Sequence, residues 1–257
     1  YSQYPMKKPL NAQALEYLQY LKEQGVTHVP VSGRQPARPA PGARAPKTPS
    51  DPAPTAAPAS HPSAPPHLST PGLASIAAEI AACHACPLAA TRKNTVPGQG
   101  AIHPDIMFIG EGPGADEDEQ GLAFVGRAGQ LLTKMIAAMG YTRQQVFIGN
   151  IVKCRPPGNR VPTPDEMAGC LPYLKRQIAI IQPKLIVCLG ATAVRGLVAE
   201  TLPIGKARGQ WRTFEGIPVM LTFHPAYLLR DGSKKKYAWQ DLKAVLARLG
   251  NALPVGE

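Results

Sequence analysis

The feature that most constrains this chain is a set of short apolar runs, each followed by a segment with apolar residues at helical spacing. The runs are 105–109, 146–151, 184–189 and 219–223. The helical patterns cover 128–139, 164–181, 191–199 and 236–249. A short unbroken apolar run is buried on both faces, and strands that alternate with helices must return to the sheet through crossovers. The expectation is an α/β fold: a central parallel sheet of about four strands with helices on both faces. The stretch Trp211 to Phe223 reads as a hairpin whose second strand joins that sheet, and 73–82 reads as a leading helix.

In such a sheet, ligands bind beyond the carboxyl ends of the strands. The longest strand-to-helix connection begins with Gly110-Glu-Gly-Pro-Gly114 and runs on to Arg127. Gly110, Gly112 and Gly114 permit close approach of backbone to a ligand, and Pro113 stiffens the turn. The glycine spacing matches neither a dinucleotide fingerprint nor a phosphate loop. Taken alone it is a turn. Two polar residues at other strand ends, Asn150 and His224, would converge on the same crevice and turn it into a candidate site.

Residues 34–72 hold 12 prolines, one acidic residue and no aromatic, so this segment cannot bury enough apolar surface to offset its ordering entropy. It reads as a disordered Pro/Ala-rich linker, with His61 and His67 too isolated to ligate metal. Before it, Leu10, Ala14, Tyr17, Leu18 and Leu21 make an apolar stripe, capped by Asn11 and stopped by Gly25. That amphipathic helix would dock on its own core or bind a protein partner. Three parts are therefore expected: 1–33 with the helix, 34–72 as linker, and 73–257 as one catalytic domain.

The formal charge is +11. Residues 1–72 carry 7 of the 28 Lys and Arg and 3 of the 17 Asp and Glu, which leaves a surplus of +7 beyond them. A basic balance suits a polyanionic partner without demanding one. No apolar run approaches a membrane span, and Tyr1 to Gln35 lacks the regions of a secretory signal. An intracellular, cytoplasmic monomer is the expectation. Five cysteines do not form a secreted disulfide framework. Cys83 and Cys86 form a C-x-x-C pair, and Cys154 and Cys170 lie 16 apart, so two segments supply four thiolates. From spacing alone, zinc and an iron–sulfur cluster fit equally. Cys188, inside an apolar run, reads as a buried inert thiol.

Four motifs in order, Gly110-Glu-Gly-Pro-Gly114, Phe124-Val-Gly-Arg-Ala-Gly-Gln-Leu-Leu132, Asn150-Ile-Val-Lys-Cys-Arg-Pro-Pro157 and His224-Pro-Ala-Tyr-Leu-Leu-Arg230, resemble the family 4 uracil-DNA glycosylases. The resemblance covers roughly residues 73 to 250. A related branch that traps uracil-DNA covalently carries a basic insertion with an extra His after the Asn motif; Cys154 to Pro162 here lacks it.

The resemblance implies a uracil-DNA glycosylase-like fold and a [4Fe–4S] cluster on Cys83, Cys86, Cys154 and Cys170. It implies a DNA repair enzyme that flips uracil from single- or double-stranded DNA and hydrolyses its N-glycosidic bond. Asn150 would read the uracil edge, His224 would donate to O2, and Phe124 would stack on the base. Gly112 and Gly114 would offer amides to O2. Glu117 would stand near the C5 edge. Glu111 would position water, the neighbouring place used for this by other uracil-DNA glycosylases being Gly112. Tyr227 and Leu228 would wedge the duplex, with Arg230, Lys234, Lys235 and Lys236 on phosphates. The competing expectations are a broader deaminated-base glycosylase and an inactive iron–sulfur DNA-binding module that recruits repair or replication partners.

Overall fold

The computed structural model describes residues 71–251; the expected amino-terminal helix and linker lie outside them except for Pro71 and Gly72, which open the first helix instead of ending the linker. The elements run α1 (Pro71–Ala81), β1 (Gln99–Gly100), β2 (Ile106–Gly110), α2 (Ala115–Gln120), α3 (Arg127–Ala138) and β3 (Phe147–Asn150). They continue with α4 (Pro164–Ile181), β4 (Leu185–Leu189), α5 (Ala191–Val198), α6 (Ile204–Ala207), β5 (Trp211–Phe214), β6 (Ile217–Thr222), α7 (Pro225–Arg230) and α8 (Lys235–Leu249).

The strands form one six-stranded sheet in the order β1-β3-β2-β4-β6-β5. Its four central strands are parallel, as the apolar runs require. Both edges are antiparallel: β5 through the expected hairpin, and β1 through a two-residue pairing with β3. The four parallel strands are the expected central sheet, and two-residue β1 is the one strand not foreseen.

Alternation along β2 divides the core in two. Met107 and Ile109 pack with Phe147, Ile186, Cys188 and Leu221 on the face covered by Leu73 of α1, Leu174 and Ile178 of α4, and Val194 of α5. Ile106 and Phe108 pack with Ile148, Val187 and Met220 on the other face, covered by Leu132 and Ile136 of α3 and Leu242, Val245 and Leu246 of α8. Every residue of β2, β3 and β4 is buried, which is why these runs are apolar throughout rather than alternating.

The register sets the position of the site. Gly110 pairs with Asn150, and Leu189 with Thr222, so β2, β3, β4 and β6 end side by side. The connection after β2, expected as one long loop, instead carries the short helix α2. Its acidic sequence has no apolar period. What shapes it is Glu117, whose carboxylate accepts the backbone N–H of Gly114 at 3.1 Å, Val125 at 2.8 Å and Gly126 at 2.9 Å.

Candidate active site and cysteine cavity

A cleft of about 620 Å³ opens at these strand ends, inside the range typical of small-ligand sites. Glu111, Gly112, Gly114, Glu117, Phe124, Asn150, His224, Tyr227 and Arg230 all line it, so residues more than a hundred positions apart in the sequence meet in one place.

Asn150 is 1 % exposed, and its side-chain Oδ1 is buried without a hydrogen-bond partner. An orphaned buried acceptor costs of order 1–3 kcal/mol unless something fills it. Gly110 makes room for this amide. A Cβ there would stand 2.4 Å from Phe124 Cζ and 2.5 Å from Asn150 Oδ1. Phe124 itself takes φ +53°, costly for a bulky residue, and the turn is held by Arg143, which donates to the carbonyls of Ala123 (2.7 Å) and Phe124 (3.0 Å).

His224 caps α7: its Nδ1 accepts the N–H of Ala226 at 3.1 Å. That bond requires Nδ1 to be unprotonated, which places the single ring proton on Nε2. Burial, with a smaller contribution from the Arg230 cation, lowers the imidazole from 6.5 to about 4, so it is neutral at physiological pH. Its ring lies 5.7 Å from that of Phe124. Gly190, at φ +87°, lets β4 pass under it, since a Cβ there would meet the His224 Cβ at 2.8 Å. Across the cleft, the carboxylate of Glu111 accepts from the hydroxyl of Thr192, the second residue of α5.

The loop after β6 departs from expectation. Leu228 is 1 % exposed and packs with Phe223 and Ala238, so it cannot serve as a duplex wedge. In the short helix α7 the neighbouring Leu229 points outward instead, at 41 % exposure. Tyr227 is half-buried, its ring 5.2 Å from that of Phe223. Arg230, Lys235 and Lys236 are exposed, and Lys234 is half-buried. Two cations not singled out from the sequence, Arg127 and Arg160, also line the cleft. Glu117 lines it too, but its carboxylate is occupied by the three loop amides.

Away from this cleft, Cys83, Cys86, Cys154 and Cys170 all face one small hollow of about 10 Å³. Among the described residues, no three His, Cys, Asp or Glu side chains meet closely enough to hold a single ion. The sulfurs receive donors: Arg92 Nη1 to Cys154 at 3.2 Å, the Lys153 N–H to Cys170 at 3.3 Å and the Ala85 N–H to Cys83 at 3.5 Å. Burial pushes the Cys154 thiol up and that of Cys170 up to about 11. Cys188 sits apart in β4, fully buried. Arg92, Arg143 and Thr192 escaped the sequence reading because no local pattern marks a residue whose partner lies far along the chain, and Lys153 escaped it because no pattern marks a lysine as buried.

A sheet covered on both faces, with an amide, a neutral imidazole and a carboxylate around a cleft at its strand ends, defines an α/β protein with a candidate ligand site at those ends. The comparisons with known proteins give its family. The model of the uracil DNA glycosylase superfamily matches residues 97–243, and the chain belongs to that superfamily. It is 50 % identical over 157 residues to a Type-4 uracil-DNA glycosylase of Thermotoga maritima, covering 60 % of this chain and 81 % of that one. It is 44 % identical to those of Pyrobaculum aerophilum (62 % and 86 % covered) and Sulfurisphaera tokodaii (67 % and 83 % covered). No helix among the described residues is long and apolar enough to cross a membrane.

Proposed function

We propose that this protein is a uracil-DNA glycosylase of base excision repair, a hydrolase of N-glycosyl bonds that removes uracil from DNA and leaves an abasic site. The observation that carries this reading is the buried, unpartnered Oδ1 of Asn150 in the cleft at the strand ends. Oδ1 can accept from uracil N3–H while the amide NH2 donates to O4; cytosine presents the opposite pattern at both places. Base choice is then made by filling an orphaned acceptor. An isostere that lacks the matching donor leaves it empty.

The neutral imidazole of His224 offers Nε2–H to uracil O2, where negative charge collects as the bond to the sugar breaks. The amide of Gly112 reinforces that position, whereas that of Gly114 is already donated to Glu117 and only shapes the loop. Phe124 stacks on the flipped ring, and Glu111, steadied by Thr192, orients the attacking water or answers the oxocarbenium charge. Glu117 acts through the loop it ties together, and near the C5 edge it narrows the space for a thymine methyl. On the DNA side, Arg127, Arg160, Arg230 and Lys234 to Lys236 meet phosphates, while Leu229 replaces Leu228 as the wedge.

The four cysteines would hold a [4Fe–4S] cluster, supported by a hollow walled by four thiols and two cations with no carboxylate, and by N–H donors on three of the sulfurs. There it would act as a structural clamp between the region after α1, the segment after β3, and α4. Release of free uracil from single-stranded and duplex oligonucleotides tests the whole reading. Uracil release is expected from both, with no strand cleavage. Binding without release would make the protein a recruiting module, and release of hypoxanthine as fast as uracil would make it a broader glycosylase.

A further inference from the structure

Lys153 is 0 % exposed, an uncommon position for a lysine because an ammonium leaves water only at high cost unless something answers its charge. It lies between the two sites. Its backbone N–H donates to Cys170 Sγ at 3.3 Å, its carbonyl accepts from Val96 at 2.8 Å, and its Nζ donates to the backbone carbonyl of Asn150 at 2.9 Å. The same side chain lines the four-cysteine hollow, where Arg92 is the other cation.

Asn150 is the last residue of β3. Its peptide plane sets the direction in which Cα–Cβ projects the amide, and Oδ1 has no partner to steady it before a base arrives. The Lys153 bond to its carbonyl therefore fixes the aim of the amide from behind. The structure assigns Lys153 as a positioning residue that holds the uracil-reading Asn150 in place while its ammonium answers the negative charge of the four-cysteine site. This rests on the uracil-DNA glycosylase reading and on the cysteines holding an anionic cluster.

The test is a double-mutant cycle on the full chain. Affinity is measured for an oligonucleotide with hydrolysis-resistant 2′-fluoroarabino-uridine and for its thymine counterpart, in the wild type, Lys153→Met, Asn150→Ala and the double variant. Loss of a charge-assisted hydrogen bond predicts uracil-DNA binding weaker by about tenfold in Lys153→Met, with thymine-DNA binding unchanged. In the Asn150→Ala background the same change should cost under about twofold.

Lys153→Gln keeps a donor without the charge and separates the two roles. It should restore most of the affinity. The reduction potential of the bound cluster should still fall in both Lys153 variants, because each removes a neighbouring cation. Equal losses with and without the Asn150 amide, or a potential unmoved in both variants, overturn the assignment. If Lys153→Met does not fold, Lys153→Leu takes its place in the cycle and Lys153→Gln carries the potential. A wild type that does not prefer uracil DNA would refute the functional reading instead, and a wild type lacking iron would refute the cluster.

Discussion

The neutrality of His224 gives the sharpest quantitative expectation. A free imidazole titrates at 6.5; this one, depressed first by burial and then by Arg230, titrates at about 4. Between those values the unfolded chain binds a proton that the folded protein refuses, so stability rises with pH across that window. The His224 contribution is complete above about pH 6.5 and is lost progressively as pH falls towards 4, reaching about 3 kcal/mol at 1.36 kcal/mol per unit. The chemistry should follow the same group. Protonation would put a proton on Nδ1, where the Ala226 N–H already points. Single-turnover uracil release measured from pH 8 to 4 should therefore show no loss with a midpoint near 6.5 that is attributable to His224. Arg230→Gln should shift the acid limb upward, since it removes one of the two causes of the depression. Imidazole 15N shifts would report the tautomer directly. A His224 midpoint at 6.5, or a proton resident on Nδ1 at pH 7, would refute the argument.

The packing sets three further outcomes. Gly110→Ala places a methyl 2.4 Å from the Phe124 ring and 2.5 Å from the Asn150 amide oxygen, so it should cost about 1–3 kcal/mol in thermal unfolding and lose at least about tenfold in kcat/KM; wild-type uracil activity would show that neither group needs its place. Leu229→Ala should lose about tenfold more activity on duplex than on single-stranded uracil DNA, because only the duplex imposes the full unstacking cost. Leu228→Ala, a core deletion, should lower stability by about 2–4 kcal/mol and affect both substrates alike. Cys154→Ala should abolish visible absorbance and lower the melting temperature together; a colourless wild type with stoichiometric zinc would count against the cluster.

Local periodicity by itself determined the sheet and its covering. The four parallel strands, the helix over 164–181 and the hairpin ending in β6 could all be read from residues adjacent in sequence. The rule that ligands bind at strand ends was enough to bring the glycine loop, Asn150 and His224 to one crevice, while Glu111 was singled out by the family resemblance. What the sequence left open lacks a period or depends on distance. Two-residue β1 has no pattern, and α2 is too short and acidic to show an apolar face. In a helix as short as the six-residue α7, phase alone cannot say which of Leu228 and Leu229 faces inward; packing against Phe223 and Ala238 decides it. The supporting residues are the clearest case. Thr192 meets Glu111 81 positions away, and Arg92 meets Cys154 62 positions away, so only the folded chain reveals them. A side chain's intrinsic preferences are local and leave a mark in the sequence, whereas its partner is chosen by the register of β2, β3, β4 and β6, which exists only once the sheet has closed.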